Sequence, residues 1–155
     1  MKSILIAMFL MFPAFAFAHG SPPKPPSAGS ALRQAAKTVD AFHDALAKGN
    51  RAAVEALLDD DVHIYEQGWV ERSKTEYASH HLASDIEFSK VTTRKEAARS
   101  GVILGDLAYV TSEGTVSGEF EGKAINSVTL ETMVLRRAKK GWRIVHIHWS
   151  SRAAK

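Results

Sequence analysis

The stretch Glu131–Arg152, ETMVLRRAKKGWRIVHIHWSSR, predicts two antiparallel strands joined by a tight turn. Valine, threonine, leucine and methionine fill its first half, whereas valine and isoleucine alternate with histidine and tryptophan in its second half. Such β-branched and aromatic runs favour strands, and the Lys140-Gly141 pair between them favours a turn. The pattern therefore predicts a closing hairpin whose last strand covers residues 141–151.

The last strand has two predicted faces, because successive strand side chains point to opposite sides of a sheet. Unbroken alternation puts Trp142, Ile144, His146, His148 and Ser150 on one face, and Arg143, Val145, Ile147 and Trp149 on the other. Both faces include large apolar side chains, so both are expected to be covered. We therefore expect a second subunit on the outer face of the sheet, in a homodimer or a larger ring.

More strands are predicted upstream of this hairpin. Segments near 86–98, 101–104, 107–117 and 123–137 are rich in Val, Ile, Thr, Tyr and Phe. Turn-forming pairs at Gly105-Asp106 and Glu121-Gly122 separate them. The second half of the chain is therefore expected to be a meander of antiparallel strands.

The first half of the domain is predicted to be mainly helical. Ser30 is a suitable N-cap for a helix over Ala31–Lys48, whose apolar residues recur at helical spacing. Gly49 ends this helix, and Asn50 can cap a second one.

A strand over residues 62–66 comes next. Ser73 and Glu76 then form a capping box that opens a third helix, which runs to about Asp85. The expected fold class is α+β, with a curved antiparallel sheet wrapped around three N-terminal helices that bury one face of each layer.

The N-terminus predicts export. Lys2 precedes the apolar run Ile4–Ala18, which is short for a membrane span and ends in Ala-Phe-Ala, as signal peptides do. We expect a signal peptide over 1–18 and a mature chain that begins at His19, in the periplasm or secreted. Residues 19–30 hold four of the five prolines and predict a flexible leader before a domain over 31–152 and a tail over 153–155. No membrane association is expected after cleavage.

The composition of the chain excludes several kinds of chemistry and of partner. The chain has no cysteine, which excludes disulfides, thiolate nucleophiles and sulfur metal ligands. Its formal net charge of +3 is dispersed along the sequence, so no nucleic-acid partner is expected. Phosphate-binding loops and dinucleotide fingerprints are absent from the sequence.

The closing hairpin resembles that of the nuclear transport factor 2-like superfamily, in its SnoaL-like domains and in the association domain of calcium/calmodulin-dependent protein kinase II. Those chains end in a strand, a basic turn, a tryptophan and a Val-His-x-His pattern, which Trp142, Val145, His146 and His148 match. The segment Ala41–Glu66 also looks like the family. The resemblance implies a cone-shaped sheet around the helices, a pocket between the two layers, a small-molecule ligand and no required cofactor. The fold hosts enzymes, binding proteins and oligomerisation hubs, so it does not name a function.

The resemblance implies that the first strand, the third helix and the last strands surround this pocket. The candidate lining residues are His63, Tyr65, Tyr77, His81, Glu131, His146 and His148. The acids available to orient or charge an imidazole are Glu66, Asp85, Glu113 and Glu131.

Three interpretations of these histidines stay open at this point. They are hydrogen-bonded structural groups, anchors for a small organic molecule, or ligands of a divalent transition metal at His146, His148 and His63. Binding of a small molecule is the preferred function. The enzyme alternative is a lyase or isomerase that uses His or Tyr as general acid or base, and the sequence does not decide whether the protein is an enzyme.

Overall fold

The computed structural model describes residues 28–155, which form four helices and six strands. In chain order these are α1 (Ala28–Ala47), α2 (Arg51–Leu57), β1 (Leu58–Glu66), β2 (Trp69–Glu71), α3 (Lys74–His80), α4 (Leu82–Val91), β3 (Thr92–Leu104), β4 (Leu107–Phe120), β5 (Lys123–Ala138) and β6 (Gly141–Ala153). The predicted signal peptide and the leader up to residue 27 lie outside the described residues. None of the helices in the described range is long and apolar enough to cross a membrane.

The six strands form one curved, open sheet in the order β2-β1-β6-β5-β4-β3. Strands β3 to β6 are the predicted antiparallel meander, whereas β1 pairs in parallel with β6. The helices lie on one face of this sheet, which we call the inner face. The α+β class and the sheet wrapped around helices are therefore confirmed.

The hydrophobic core fills the space between the helices and the inner face. Val39 and Phe42 of α1 are fully buried, and so are Met133 of β5 and Ile147 of β6. Burial of each such side chain is worth about 1.5–3 kcal/mol. Packing of α1 against β3, β4, β6 and α4 thus holds the helices on the inner face of the sheet.

The predicted third helix is two helices. α3 begins after the expected Ser73 cap and ends at His80, and α4 then continues to Val91, where a strand was expected. His81 separates the two helices, and its imidazole hydrogen-bonds to Glu71 of β2. Helix persists beyond residue 85 because Leu82 and Ile86, one turn apart, both pack on the core.

Gly101 joins two segments that were expected to be separate strands. A Cβ atom at this position would lie 2.6 Å from the carbonyl oxygen of Tyr109 and 2.9 Å from Cδ1 of Leu32 in α1. This glycine therefore permits close approach of α1 to an unbroken β3, and does not mark a turn.

A β-bulge at Val145 makes the predicted faces of the last strand wrong. Leu135 pairs with Ile144 and Val134 pairs with His146, so Val145 has no partner on β5. One extra residue reverses the alternation from that point. Trp142 and Ile144 therefore face the core before the bulge and Ile147 faces it afterwards, while His146 and His148 lie on the outer face.

Candidate functional site

Four of the predicted pocket residues lie together on the outer face of the sheet. In β1, Val62 and Ile64 belong to the core, so His63 and Tyr65 point away from the helices. The ring centroid of Tyr65 lies 5.1 Å from that of His146 and 6.4 Å from that of His148. The expectation that His63, Tyr65, His146 and His148 line a pocket between sheet and helices is wrong, because the bulge turns the last two outward.

The three histidines of this cluster do not converge as the predicted metal site requires. Within residues 28–155, the group of three side chains whose ligand atoms lie within 4.8 Å of one another is Glu71, Glu76 and His80. Both carboxylates already have partners. Glu76 accepts a hydrogen bond from the backbone N–H of Arg72, the residue before the Ser73 N-cap, at 2.6 Å, and Glu71 accepts one from His81. We therefore assign no metal site to either group.

A small cavity opens on the inner side, between β1, β2 and the start of α4. Its empty space, counted with the solvent at its mouth, is about 190 Å³. The lining residues are Ile64, Glu66, Trp69, Glu71, Tyr77 and His81. Of the predicted pocket residues, Tyr77 and His81 are therefore at this cavity.

Of the two acids that line the cavity, Glu66 is the one whose side chain has no hydrogen bond to another described residue. It ends β1, on the side of the strand opposite to Tyr65, and it accepts no hydrogen bond from any residue in the described part of the chain. Burial raises the pKa of Glu66 to about 7, and the nearby Asp85 carboxyl adds to this rise. The Glu66 side chain thus changes between acid and carboxylate near neutral pH.

His81 is held by Glu71 at the other side of the cavity. Its Nδ1 atom lies 2.6 Å from Oε1 of Glu71, and Glu71 is only 5% exposed. The hydrogen bond to Glu71 raises the pKa of His81 above its usual value, although burial opposes the shift. Nε2 of His81 has no hydrogen-bond partner among the described residues.

Tyr77 and Asp85 form the buried floor beside these groups. The Tyr77 hydroxyl donates to Oδ2 of Asp85 at 2.7 Å, and Tyr77 is almost fully buried. Burial raises the pKa of Asp85, and burial next to that carboxyl raises the pKa of Tyr77 far above its usual value. Tyr77 therefore keeps its proton and serves as a fixed hydrogen-bond donor.

Glu131 lies on the inner face in a second polar cluster. Its Oε2 atom accepts hydrogen bonds from His43 of α1 and Trp149 of β6, both at 2.7 Å. Burial alone would raise the pKa of Glu131, but the His43 contact, Trp149 and Arg94 together lower it to about 2. Glu131 is therefore a buried carboxylate, and it is not among the residues that line the cavity.

The pairing of the strands connects the Glu66 cavity with the cluster around Glu131. Glu66 pairs with Trp149, Trp149 with Glu131, Glu131 with Ser112, and Ser112 with Arg99, so one row of inner-face residues crosses the sheet. Trp149 stands between the two acids of this row and packs against Phe42 at a centroid distance of 6.2 Å. The indole thus separates the Glu66 cavity from the Glu131 network.

Sequence reasoning missed the importance of Trp69, Glu71 and His43, and it placed Glu66 only among acids that orient an imidazole. A signal for the β1–β2 hairpin was present. Gln67-Gly68 forms a two-residue turn in which both residues have positive φ, at 47° and 91°, as in the tight turns of hairpins. Such a hairpin puts Glu66 and Trp69 directly opposite each other. No comparable local pattern marks His43, whose partner is 88 residues away.

Solved structures resemble the chain over most of its length. A candidate ketosteroid isomerase from Shewanella frigidimarina is 45% identical, with a TM-score of 0.72, and the match covers 76% of this chain and 94% of that one. A candidate dehydratase of the nuclear transport factor 2-like family from Streptomyces avermitilis is 20% identical, with a TM-score of 0.71 and coverage of 81% and 99%.

The association domain named in the sequence resemblance also has a structural counterpart. The calcium/calmodulin-dependent protein kinase II hub of S. rosetta is 19% identical, with a TM-score of 0.66 and coverage of 84% of this chain and 100% of that one. At this identity the likeness concerns the fold alone. No curated protein matches the chain in sequence. The SnoaL-like domain family matches residues 35–154, and the chain therefore belongs to that family, within the nuclear transport factor 2-like superfamily.

Proposed function

We propose that the protein binds a small molecule in the cavity beside Glu66, Tyr77 and His81 and moves a proton on it, as isomerases and lyases do. The observation that carries this proposal is the state of Glu66. It is a largely buried carboxyl that lines a cavity, lacks a hydrogen-bond donor among the described residues, and has its pKa raised to about 7. Groups with these properties are suited to general acid–base chemistry.

The other groups of the cavity fit complementary roles. Glu66 as carboxylate accepts a proton from a carbon or hydroxyl of the ligand. Glu71 favours the protonated form of His81, and in that form Nε2–H can donate to an oxygen on which negative charge develops. Tyr77, whose hydroxyl is engaged by Asp85, is a positioning residue that shapes the floor.

Cavity size limits the ligand. Within the opening of about 190 Å³, the volume open to a water-sized sphere is only about 10 Å³, which is room for about one water molecule. A ligand would therefore lie at the mouth of the cavity and direct a small reactive group towards Glu66. The description of the Shewanella protein as a candidate ketosteroid isomerase supports proton-transfer chemistry for this chain.

Hydrogen–deuterium exchange tests this function without a known substrate. A panel of small ketones and aldehydes is incubated in heavy water with the protein, and loss of the α-hydrogen signal is followed by proton NMR. We expect exchange faster than in buffer for at least one compound. Glu66→Gln should lower that rate by about 10²–10⁴-fold, the usual contribution of a general base. Exchange that is unchanged in Glu66→Gln would contradict the assignment.

We also propose that the outer face of the sheet binds a second copy of the chain. Of the eight large apolar side chains that are exposed in residues 28–155, six lie on this face: Tyr65, Val102, Leu104, Leu107, Tyr109 and Leu130. Exposed large apolar side chains that concentrate on one face of a sheet favour an interface there. The fold likeness to an association domain supports self-association.

Export to the periplasm or beyond stays a proposal. It is supported by the sequence of residues 1–18, with its apolar run and Ala-Phe-Ala ending. N-terminal sequencing of the exported form should find His19 first, whereas a retained Met1 in a membrane fraction would indicate an anchor.

A further inference from the structure

We infer that the mouth of the cavity, between Trp69 and Glu66, prefers a ligand that carries a positive charge, namely a small protonated or quaternary amine. This inference rests on the proposed function, because it concerns the same cavity, and it adds the class of ligand. It follows from the charges around the cavity, from the position of Trp69 and from the unpaired state of Glu66.

Acidic groups dominate the cavity, and no lysine or arginine lines it. Glu66 and Glu71 are both lining residues, and Asp85 lies directly behind Tyr77. The charge of Glu71 is balanced by its contact with His81, whereas Glu66 forms no ion pair within the described range. Lys74, at the start of α3, is held by Asp60 on the surface. A carboxylate or phosphate ligand would therefore meet the Glu66 carboxylate with no lysine or arginine to balance its charge, because the charge of the His81 imidazole is already paired with Glu71. An ammonium group would instead form an ion pair with Glu66.

Trp69 gives the cavity an aromatic wall. It opens β2, lines the cavity, and is 69% exposed, so much of its indole is free to contact a ligand. Its ring centroid lies 6.0 Å from that of His81, so the indole and the imidazole are neighbours in the lining of the cavity. Organic cations bind favourably over the face of tryptophan, and methylated ammonium groups are the usual ligands of such sites.

Binding of a cation requires Glu66 in its charged form. The titratable groups around Glu66 are Glu71 of β2, Tyr77 of α3, His81 between α3 and α4, and Asp85 of α4, while His80 contacts Glu71 from α3. Since the Glu66 carboxyl loses its proton near neutral pH, affinity for a cation should rise as the pH increases through about 7. The neutral ligand of the same shape should show a weaker dependence.

Three probes of one shape separate charge from size. They are choline, its neutral tert-butyl isostere and the tert-butylacetate anion. Binding is measured by saturation-transfer NMR and by the shift of the Trp69 indole N–H signal, on the full mature chain. We expect choline to bind at least tenfold more tightly than the isostere and the anion not to bind.

Two cavity variants and one outer-face variant identify the site. Glu66→Gln should remove the preference for choline over the isostere. Trp69→Leu should weaken the binding of both ligands. His146→Gln, a change on the outer face, should leave binding as in the wild type. Because Trp69 is exposed, its replacement should not prevent folding, and an unchanged circular dichroism spectrum verifies this.

The outcomes distinguish this inference from the proposed function. Equal binding of choline and its isostere, tighter binding of the anion, choline binding that survives Glu66→Gln, or no binding of choline would each overturn the charge preference. Exchange activity that depends on Glu66 would then still support proton transfer. Conversely, a Glu66-dependent preference for choline without any exchange activity would support the ligand class and contradict the proposed reaction.

Discussion

The Nε2 atom of His43, in α1, lies 2.7 Å from the Oε2 atom of Glu131, in β5. Trp149 donates to the same oxygen, and a guanidinium nitrogen of Arg94 lies 3.5 Å from Oε1. Glu131 Oε1 is buried and has no hydrogen-bond donor among the described residues. One carboxylate thus connects the first helix with three strands of the sheet.

This connection predicts an acid-sensitive part of the stability. The pKa of Glu131 is lowered in the folded protein to about 2, from 4.5. Its contribution is therefore present above about pH 4.5 and is lost as the pH falls towards 2, with a total of roughly 3 kcal/mol. Urea unfolding of wild type and Glu131→Gln should show a gap in unfolding free energy that narrows as the pH decreases over this range.

Glu119→Gln is the matched control for this experiment. Glu119 is an exposed acid on neighbouring β4 and forms no ion pair among the described residues. Its replacement should leave the acid dependence as in the wild type. Parallel wild-type and Glu131→Gln curves across the range would show that the network does not stabilise the charged form.

Glu66→Gln should have the opposite pH dependence. A carboxyl whose pKa is raised to about 7 stabilises the folded state only while protonated, so its benefit is lost as the pH rises from about 4.5 through 7. The variant should match the wild type near pH 5 and be more stable by about 1–2 kcal/mol near pH 8, after allowance for the exposed part of the side chain. Thermal unfolding at the two pH values tests this. A variant that is less stable than the wild type near pH 8 would show that burial of the Glu66 carboxylate does not destabilise the folded protein.

Glu71→Gln should lower the pKa of His81. The hydrogen bond from His81 to the Glu71 carboxylate is the main cause of the raised pKa, and a glutamine keeps the shape but removes the charge. Imidazole proton signals followed through a pH titration should show His81 titrating at lower pH in the variant. Glu87→Gln, at an exposed position on α4, should leave the titration unchanged. A His81 titration that does not move would mean that another group holds its proton.

A charge on the outer face should dissociate the proposed dimer. Leu130→Asp and Tyr109→Asp each place a carboxylate in an apolar surface on β5 or β4, which would have to be buried without a partner. Light scattering after size exclusion should give a dimer for the wild type and a monomer for both variants. Val91→Asp, at an exposed apolar residue at the end of α4, should remain dimeric. A wild type that is monomeric at micromolar concentration would refute the interface.

Local patterns predicted most of the fold. The hairpin over Glu131–Arg152, the caps at Asn50 and Ser73 and the meander of strands are all present, since each depends on residues close together in sequence. The capping geometry matches in detail, because the Asn50 and Ser73 side chains accept the expected backbone hydrogen bonds.

The site was less predictable, because its residues depend on register between distant segments. Glu66 comes beside Trp149 only through the parallel pairing of β1 with β6, and no local pattern fixes that pairing. His43 lies on a partly exposed side of α1, where a polar residue has no unusual sequence signature. Tyr77 and His81 were named as candidates because they are chemically distinctive, and Asp85 was named only as an acid that could orient an imidazole, whereas Glu71, the partner of His81, was not named.

The unpaired Val145 divides β6 into two segments in which odd- and even-numbered residues face opposite sides of the sheet. Residues before it and after it obey separate inward and outward alternations, so Trp142 and Ile144 on one side of it and Ile147 and Trp149 on the other all reach the core. Deletion of this single residue would leave a regular strand in which Ile144 and Ile147 still face the core and His146 and His148 still face outward, because Val145 is the residue that the pairing already leaves out. A relative that instead pairs every residue of this strand with β5 would turn the side chains at positions 146 and 148 towards the interior, so the bulge, and not the presence of the histidines, decides on which side of the sheet they act.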